Sequence, residues 1–91
     1  MIIGKVVGNV WATRKEEALN GLKLLIVKPI DHHSGKQRNT LVAVDNVGAG
    51  KGDIVLVVGG SSARRALSDQ DAPIDATIVG IVDEVEVDKS L

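Results

Sequence analysis

Residues 54–67 read IVLVVGGSSARRAL and place a strand, two glycines and a short helix in succession. Five apolar residues in a row, three of them valine, are typical of a strand that is covered on both faces. The glycines end that strand, and Ser61 or Ser62 is predicted to cap a helix through Leu67. After a polar turn, residues 76–87 form a further apolar strand. One short helix before the last strand is therefore the signature of this half of the chain.

Three more strands are predicted upstream of this stretch. They cover residues 2–13, 22–30 and 41–44, and the strand that opens the quoted stretch covers residues 54–58. The chain contains 14 Val and 8 Ile, interrupted by 10 Gly and 2 Pro, a composition that favours a sheet protein. We expect an all-β fold: a small five-stranded OB-like β-barrel with one short helix before the last strand. Periodicity alone does not distinguish it from an SH3-like barrel.

The first strand carries two glycines on one predicted face. Alternation places Gly4, Val6, Gly8 and Val10 on the same side of the strand. Two glycines there permit strong coiling or a close approach by another backbone. The polar segments at residues 14–21, 31–40 and 45–53 are predicted to be connecting loops, and the last few residues a loose tail.

Length and charge exclude several classes of function. We expect residues 1–91 to form a single domain, since 9.6 kDa leaves no room for a second core. With 11 basic and 12 acidic residues the net charge is −1, so no basic excess favours nucleic acid or an acidic membrane surface. Trp11 is the sole aromatic residue, which is thin provision for stacking bases or sugars. No apolar run approaches the ~20 residues of a membrane helix, and we expect a soluble, cytoplasmic protein.

The absence of cysteine excludes disulfides, thiolate zinc sites and thiol catalysis. His32 and His33 follow Asp31, but adjacent residues of an extended chain point to opposite sides and suit a solvated loop better than a metal site. We therefore predict no metal and no cofactor.

Neither the serines nor the acidic residues form a catalytic set. Ser61 and Ser62 lack the Gly-x-Ser-x-Gly spacing of a nucleophile elbow. Glu84 and Glu86 share a strand face, with no apolar surroundings to raise a pKa, and are typical of a solvated edge. The sequence thus predicts a protein without catalytic residues, not an enzyme.

The glycine-rich segment at residues 48–52, GAGKG, invites comparison with phosphate-binding loops. A Walker-type loop would need Gly where Asp45 stands and Ser or Thr where Gly52 stands. The dinucleotide pattern fails at Asp53, and the segment joins two strands rather than a strand and a helix. A tight turn or a close subunit contact is the better interpretation.

Two strands are apolar on both faces, at residues 54–58 and 78–82. In a small barrel only the inner face of a strand meets the core, so the outer residues need another cover. The sequence has no long helix to supply one, which favours association of several copies. The alternative is that these side chains are simply exposed, as isolated surface valines and isoleucines often are.

Five blocks of the sequence together resemble one family. Residues 1–14, MIIGKVVGNVWATR, resemble the start of the bacterial microcompartment vertex proteins, the ethanolamine-compartment and carboxysome vertex family. The resemblance continues through GLKLLIV (21–27), VAVDNVGAG (42–50), GGSSAR (59–64) and PIDATIVGIVD (73–83). Each block is weak alone, but together they keep the family's order and spacing over nearly the whole chain. The main departure is the polar loop that precedes the third strand.

The resemblance implies an OB-like barrel that forms a homopentamer at the fivefold vertices of a polyhedral shell. Hexameric microcompartment shell proteins would form its facets, and the shell would enclose metabolic enzymes. No cofactor, nucleic acid or membrane is implied. A structural role of this kind needs symmetry and shape rather than chemistry.

Residue roles follow from the resemblance as expectations. Gly48, Ala49 and Gly50 are candidates to lie near the fivefold axis and narrow its pore, with a tight turn away from the axis as the alternative. The candidates for subunit contacts are Ser61, Ser62, Arg64 and Ile78. Independently of the resemblance, the residues themselves leave two alternatives for Arg64 and Arg65: salt bridges across a subunit boundary or a solvated position.

Three classes of function remain for comparison. A structural vertex protein predicts defined oligomers, whereas an OB-fold nucleic-acid binder predicts salt-sensitive binding to oligonucleotides. A small-ligand or phosphate-binding module predicts a saturable thermal shift with nucleotides. The charge and the single aromatic residue argue against the second class, and the motif analysis argues against the third.

Overall fold

The computed structural model describes residues 1–13, 16–30, 39–69 and 71–91. Within these ranges a 3₁₀ turn at Glu17–Leu19 separates the first two strands. The strands and the single α-helix are β1 (Ile2–Val10), β2 (Leu24–Pro29), β3 (Leu41–Asp45), β4 (Ile54–Gly59), α1 (Gly60–Ala66) and β5 (Ala76–Ile81).

The five strands form a closed barrel in the order β1-β2-β3-β5-β4, with β4 returning to β1. All neighbours are antiparallel except β3 and β5, which pair in parallel through Val44 with Thr77 and Asp45 with Ile78. The helix α1 stands between β4 and the last strand. This confirms the predicted OB-like barrel with one short helix before its last strand.

The core lies inside the barrel and is built from small and branched side chains. Apolar residues from all five strands and from the turn before β4 fill it: Val6, Leu25, Val27, Ala43, Ala49, Val55, Val57 and Ile78. Thr77 is the polar residue that is buried as a whole among the described ones, and its hydroxyl donates to the Ala63 carbonyl of α1 at 2.8 Å. That bond satisfies a hydroxyl whose unpaired burial would be costly, and it fixes α1 on β5.

A β-bulge at Val7 changes the face that the end of β1 presents. Val6 pairs with Val27, but the next pair is Gly8 with Ile26, so Val7 is the extra residue. The predicted alternation placed Gly8 on the same face as Val6, and this was wrong. Beyond the bulge, Gly8 lies beside Ile26 on the outside of the barrel.

The last strand is shorter than predicted. β5 ends at Ile81 rather than at residue 87, because its neighbour β4 begins at Ile54 and offers no partner further on. The Val82 N–H donates to the Ile54 carbonyl at 2.7 Å, and every residue after Val82 is exposed. The C-terminal tail outside the barrel thus begins earlier than the alternation of Glu and Val predicted.

Other boundaries differ by one to three residues. β1 ends at Val10 instead of residue 13, and β2 begins at Leu24 instead of residue 22. Of the loop predicted at residues 31–40, residues 31–38 lie outside the described part of the chain, and both histidines are among them.

Candidate assembly surfaces and the glycine-rich turn

The carboxylate of Asp45 organises the first half of the glycine-rich turn. It accepts hydrogen bonds from the backbone N–H groups of Val47 at 3.2 Å, Gly48 at 3.0 Å and Ala49 at 3.1 Å. Successive N–H groups that converge on one carboxylate form a compact turn, and charge-assisted bonds of this kind are stronger than neutral ones. The Asp45 side chain is only 4% exposed, so the turn has a buried anionic centre.

Lys23 closes this centre from the neighbouring strand segment. Its ammonium group lies 3.7 Å from Asp45 Oδ2 and donates to the Ala49 carbonyl. The ammonium therefore balances the buried carboxylate and holds the turn at two points. The lysine side chain itself is half exposed, so its charge remains solvated.

The second half of the turn is tied to β1 and to its own start. Asp53 Oδ2 accepts from the Gly50 N–H at 2.9 Å, and the Gly52 N–H donates to the Val6 carbonyl at 2.9 Å. The Val6 N–H in turn donates to the Asp53 carbonyl at 2.9 Å. The turn is thus a rigid part of the barrel rather than a free loop.

The three residues proposed for the pore differ in position. Gly48 is exposed and has φ +83°, a left-handed conformation that favours glycine. Ala49 is fully buried in the core, so its side chain packs inside the protomer. Gly50 is half-buried, and a Cβ added there would meet nothing within 4 Å.

The helix α1 begins differently from the prediction. Its N-cap is Gly59, with no side-chain cap hydrogen bond, and Ser61 and Ser62 lie inside the first turn and are exposed. The prediction of a serine cap was therefore wrong. The helix starts immediately after β4 because the Gly60 N–H donates to the Asp75 carbonyl at 3.0 Å, which fixes the chain just before Ser61.

Arg64 has a structural partner within its own chain. Its Nη1 donates to the Ile74 carbonyl at 3.2 Å and links α1 to the segment that leads into β5. Arg65 is exposed. Sequence reasoning considered a subunit salt bridge or a solvated position for Arg64, and missed this bond because Ile74 is ten residues away and its carbonyl carries no residue-type signal.

Ile78 is fully buried in the core, opposite Val57 of β4. Its side chain therefore touches no neighbouring subunit in an assembly of such barrels and can only support the outer surface of β5 from within the core. The outward-facing apolar residue here is Leu56 of β4, which is half-buried and lies opposite Gly80 of β5. Ile81 pairs with the core residue Val55 at the end of the barrel and is 43% exposed. If another copy covers the outer apolar residues of these strands, as the sequence predicts, it covers side chains other than that of Ile78.

Trp11 lies just past β1 with 87% of its surface exposed. It borders a hollow that it shares with Val10, Leu22 and Leu24. A single exposed tryptophan is an uncommon surface residue and a frequent anchor of protein contacts. It does not form a stacking platform, because no other aromatic residue exists in the chain.

Clusters of metal ligands and membrane-spanning helices were sought in the described ranges. No group of three or more His, Asp or Glu residues is arranged to hold a metal ion there. None of the helices in that part of the chain is long and apolar enough to cross a membrane. Asp88, in the acidic terminal segment, has its pKa lowered by hydrogen bonds from the hydroxyl and backbone N–H of Ser90, as expected of a solvated turn.

Comparison with known proteins gives one consistent family. The sequence matches the family model described as ethanolamine utilisation protein EutN/carboxysome over residues 1–83. The bacterial microcompartment shell vertex protein GrpN of Rhodospirillum rubrum (strain F11) is 49% identical over 86 residues, covering 94% of this chain and 97% of GrpN. The chain belongs to the EutN/CcmL family of microcompartment shell vertex proteins.

Solved structures agree with this assignment. GrpN from Rhodospirillum rubrum, solved as a pentameric microcompartment shell protein, superposes with a TM-score of 0.84 at 48% identity and covers 96% of this chain and 100% of that one. CcmL of Gloeobacter violaceus superposes with a TM-score of 0.89 at 40% identity, covering 98% of this chain and 92% of that one.

Membership of the EutN/CcmL family confirms the predicted resemblance and the structural function. Its members are shell vertex proteins rather than enzymes, so the chain is a structural component of a microcompartment shell. The closed barrel and the hydrogen-bonded turn are therefore features of a building block, and the exposed apolar residues are candidates for its contacts.

Proposed function

We propose that this EutN/CcmL protein, acting as one domain over residues 1–91, forms cyclic homopentamers that close the vertices of a polyhedral shell and contact hexameric shell proteins. The observation that carries the proposal is its close similarity to GrpN, whose solved structure is pentameric, over 96% of the chain. The outward-facing apolar residues of β4, Ile54, Leu56 and Val58, support it, because the single chain leaves them only half-buried.

The physical reason for a pentamer is geometric. A flat layer of hexagonal tiles can close into a polyhedron only where units of fivefold symmetry replace sixfold ones. A cyclic ring needs each copy to contact two neighbours through two different surfaces. Such a role requires a protomer of fixed shape, which the closed barrel and its tied turn supply.

The glycine-rich turn is proposed to approach the fivefold axis. Gly48 and Gly50 present backbone without side chains, so five copies can come close together there. Ala49 would not line the pore itself, because its methyl group is buried and anchors the turn to the core. The alternative is a rigid turn that lies away from the axis, and a substitution at Gly50 separates the two.

The first turn of α1 is proposed to lie at a protomer boundary. Ser61 and Ser62 are exposed and lack a capping role, which leaves their hydroxyls available for contacts. Arg64 donates a hydrogen bond to the Ile74 carbonyl within its own chain, so its role at this boundary is mainly to hold the helix in place. Ile78 would act only by supporting the outer surface of β5 from within the core.

Native mass spectrometry tests the assembly directly. The purified protein alone is expected to give a pentamer mass, and addition of a hexameric shell protein is expected to give closed particles that contain both. A strict monomer that ignores the hexamers would overturn the proposal and return attention to ligand binding. A hexamer of this chain would leave the family assignment intact and contradict the fivefold vertex.

A further inference from the structure

Residues 19–22 form a type II turn with an Asn-Gly pair at its centre. The Leu22 N–H donates to the Leu19 carbonyl at 3.1 Å and closes the turn. Asn20 has φ −64° and ψ 134°, and Gly21 has φ +82°, close to the values that define the two central positions of such a turn. The sequence contains one Asn-Gly pair, so no other segment of the chain offers this combination.

The two groups that an Asn-Gly pair brings together are both open in this turn. Asn20 and Gly21 are exposed, and neither the Asn20 carboxamide nor the Gly21 N–H has a hydrogen-bond partner among the described residues. A Cβ added at Gly21 would meet nothing within 4 Å, so the space beside this residue is free. The Gly21 nitrogen and the side-chain carbonyl carbon of Asn20 can therefore meet without displacing another part of the barrel.

Asn46 has the opposite environment. Its Nδ2 donates to the Ala66 carbonyl at 3.0 Å, and the following amide, that of Val47, donates to Asp45 Oδ1 at 3.2 Å. The side-chain amide and the next backbone nitrogen are thus each held by another partner, and Val47 places a branched side chain beside that nitrogen. The same two groups are free at Asn20 and bound at Asn46, which makes the second residue a control for the first.

We propose that Asn20-Gly21 is a site of spontaneous deamidation and isoaspartate formation, a modification that consumes water and needs no enzyme. Hydroxide takes the Gly21 amide proton, and the nitrogen attacks Asn20 Cγ as ψ of Asn20 rotates away from 134°. The new N–Cγ bond closes a succinimide ring while the Cγ–Nδ2 bond breaks. The leaving nitrogen takes a proton from water, departs as ammonia and so returns the hydroxide.

Water then opens the ring at one of its two carbonyl carbons. Attack at Cγ gives aspartate, and attack at the main-chain carbonyl carbon gives isoaspartate. The balance of the two steps is an amide and water converted to a carboxylic acid and ammonia, with no oxidation or reduction. The proposal concerns the covalent chemistry of the chain and does not depend on the oligomer that the chain forms.

The products differ from the parent chain in charge and in backbone length. Both add one negative charge to a net charge of −1, in a segment that already holds Glu16 and Glu17. Isoaspartate also routes the main chain through Cβ of Asn20, which inserts a methylene group between Leu19 and Leu22. The hydrogen bond that closes the turn should therefore be lost in the isoaspartate form.

Peptide mapping of the aged protein tests the site. The folded protein is incubated at physiological temperature in mildly alkaline buffer and then digested with trypsin, which cuts after lysine and arginine. Residues 16–23, EEALNGLK, contain Asn20 alone, whereas residues 39–51, NTLVAVDNVGAGK, contain Asn39 and Asn46. We expect the mass gain of an amide converted to an acid to accumulate in the first peptide. The second peptide should stay unmodified over the time in which half of the first is converted.

Methyl transfer identifies the isoaspartate product. An isoaspartyl methyltransferase with labelled S-adenosylmethionine should label the aged wild type and leave the fresh protein unlabelled. Asn20→Gln is the matched variant, because its longer side chain would have to close a six-membered ring, which forms far more slowly. It should lose both the mass gain in the first peptide and the label. Label that persists in Asn20→Gln would place the reactive residue elsewhere and overturn the assignment.

A synthetic peptide of residues 16–23 shows what the fold contributes. We expect the folded protein to be modified at Asn20 at a rate of the same order as the free peptide, because the turn leaves both reacting groups open. A folded protein that stays unmodified while the peptide is converted would overturn the proposal. Equal mass gain in both tryptic peptides would overturn it as well, since the protection argued for Asn46 would then be absent.

Hydrogen exchange tests the effect on the turn. The isoaspartate form, separated by ion exchange, should exchange the Leu22 amide faster than the fresh protein does. Asn20→Asp carries the added charge on an ordinary backbone and should keep the slower exchange. Equal exchange in the isoaspartate form and the fresh protein would show that the longer backbone leaves the turn intact, contrary to the proposal.

Discussion

Gly4 shows how a single absent side chain shapes the barrel. A Cβ at this position would lie 2.5 Å from Val27 Cγ1 and 3.1 Å from the Lys28 carbonyl oxygen. Gly4→Ala should therefore lower the free energy of unfolding by about 1–3 kcal/mol through overpacking. Urea unfolding followed by circular dichroism, at one fixed protein concentration, measures the change, since assembly links stability to concentration.

Gly50→Ala is the matched control for this residue. Its Cβ would meet no atom within 4 Å and its φ is not in the left-handed region, so the change should be neutral or slightly stabilising. Equal losses for both variants would contradict the packing explanation. From the paired glycines of β1 the sequence predicted strong coiling or a close backbone approach, and the Lys28 carbonyl beside Gly4 fits the second alternative. The prediction assigned Gly8 to the wrong face of β1, because the alternation of residue types does not reveal the bulge at Val7.

At the scale of an element, the turn between β3 and β4 depends on Asp45. Asp45→Ala removes the acceptor for three backbone N–H groups and leaves Lys23 without its counter-ion. The free energy of unfolding should fall by about 1.5–3 kcal/mol, the usual range for hydrogen bonds to a charged group. Hydrogen exchange of the Gly48 and Ala49 amides should become faster.

Lys51→Ala, at an exposed position in the same turn, serves as the control and should change neither measurement. Unchanged exchange at Gly48 in Asp45→Ala would show that the backbone holds the turn without the carboxylate. The sequence indicated a tight turn here from its glycines, and the structure agrees. It could not indicate which side chain organises the turn, because Asp45 closes the preceding strand and has no spacing signal of its own.

At the scale of the whole molecule, the sequence was informative about fold and family and less so about contacts. Five blocks in the right order fix the family, and alternation with glycine boundaries is enough to count the strands. Contact surfaces depend on register, and register depends on bulges at Val7 and near Val79 that composition does not reveal. The resemblance made Ile78 a candidate for a subunit contact, and in the single chain its side chain lies in the core.

Gly50→Leu tests where the turn lies in the assembled ring. The single chain should tolerate the leucine, because the added Cβ has open space and the backbone conformation suits any residue. If the turn approaches the fivefold axis, five leucines meet there and either occlude the pore or prevent the ring from closing. Native mass spectrometry detects the loss of the pentamer, and a crystal structure of the pentamer detects a narrowed pore.

Asp71→Leu, at an exposed residue of the turn before β5, is the control for an added surface leucine and should leave mass and pore unchanged. A Gly50→Leu pentamer with the wild-type pore would place the turn away from the axis. The rigidity of the turn would then serve the barrel alone, through the bonds that Asp53 and Gly52 make with Val6. A pore that is narrowed by Gly50→Leu but not by the control would place the turn at the fivefold axis. The backbone bonds to Val6 would then also set the width of the pore, because a turn tied to β1 cannot move aside to make room for five leucines.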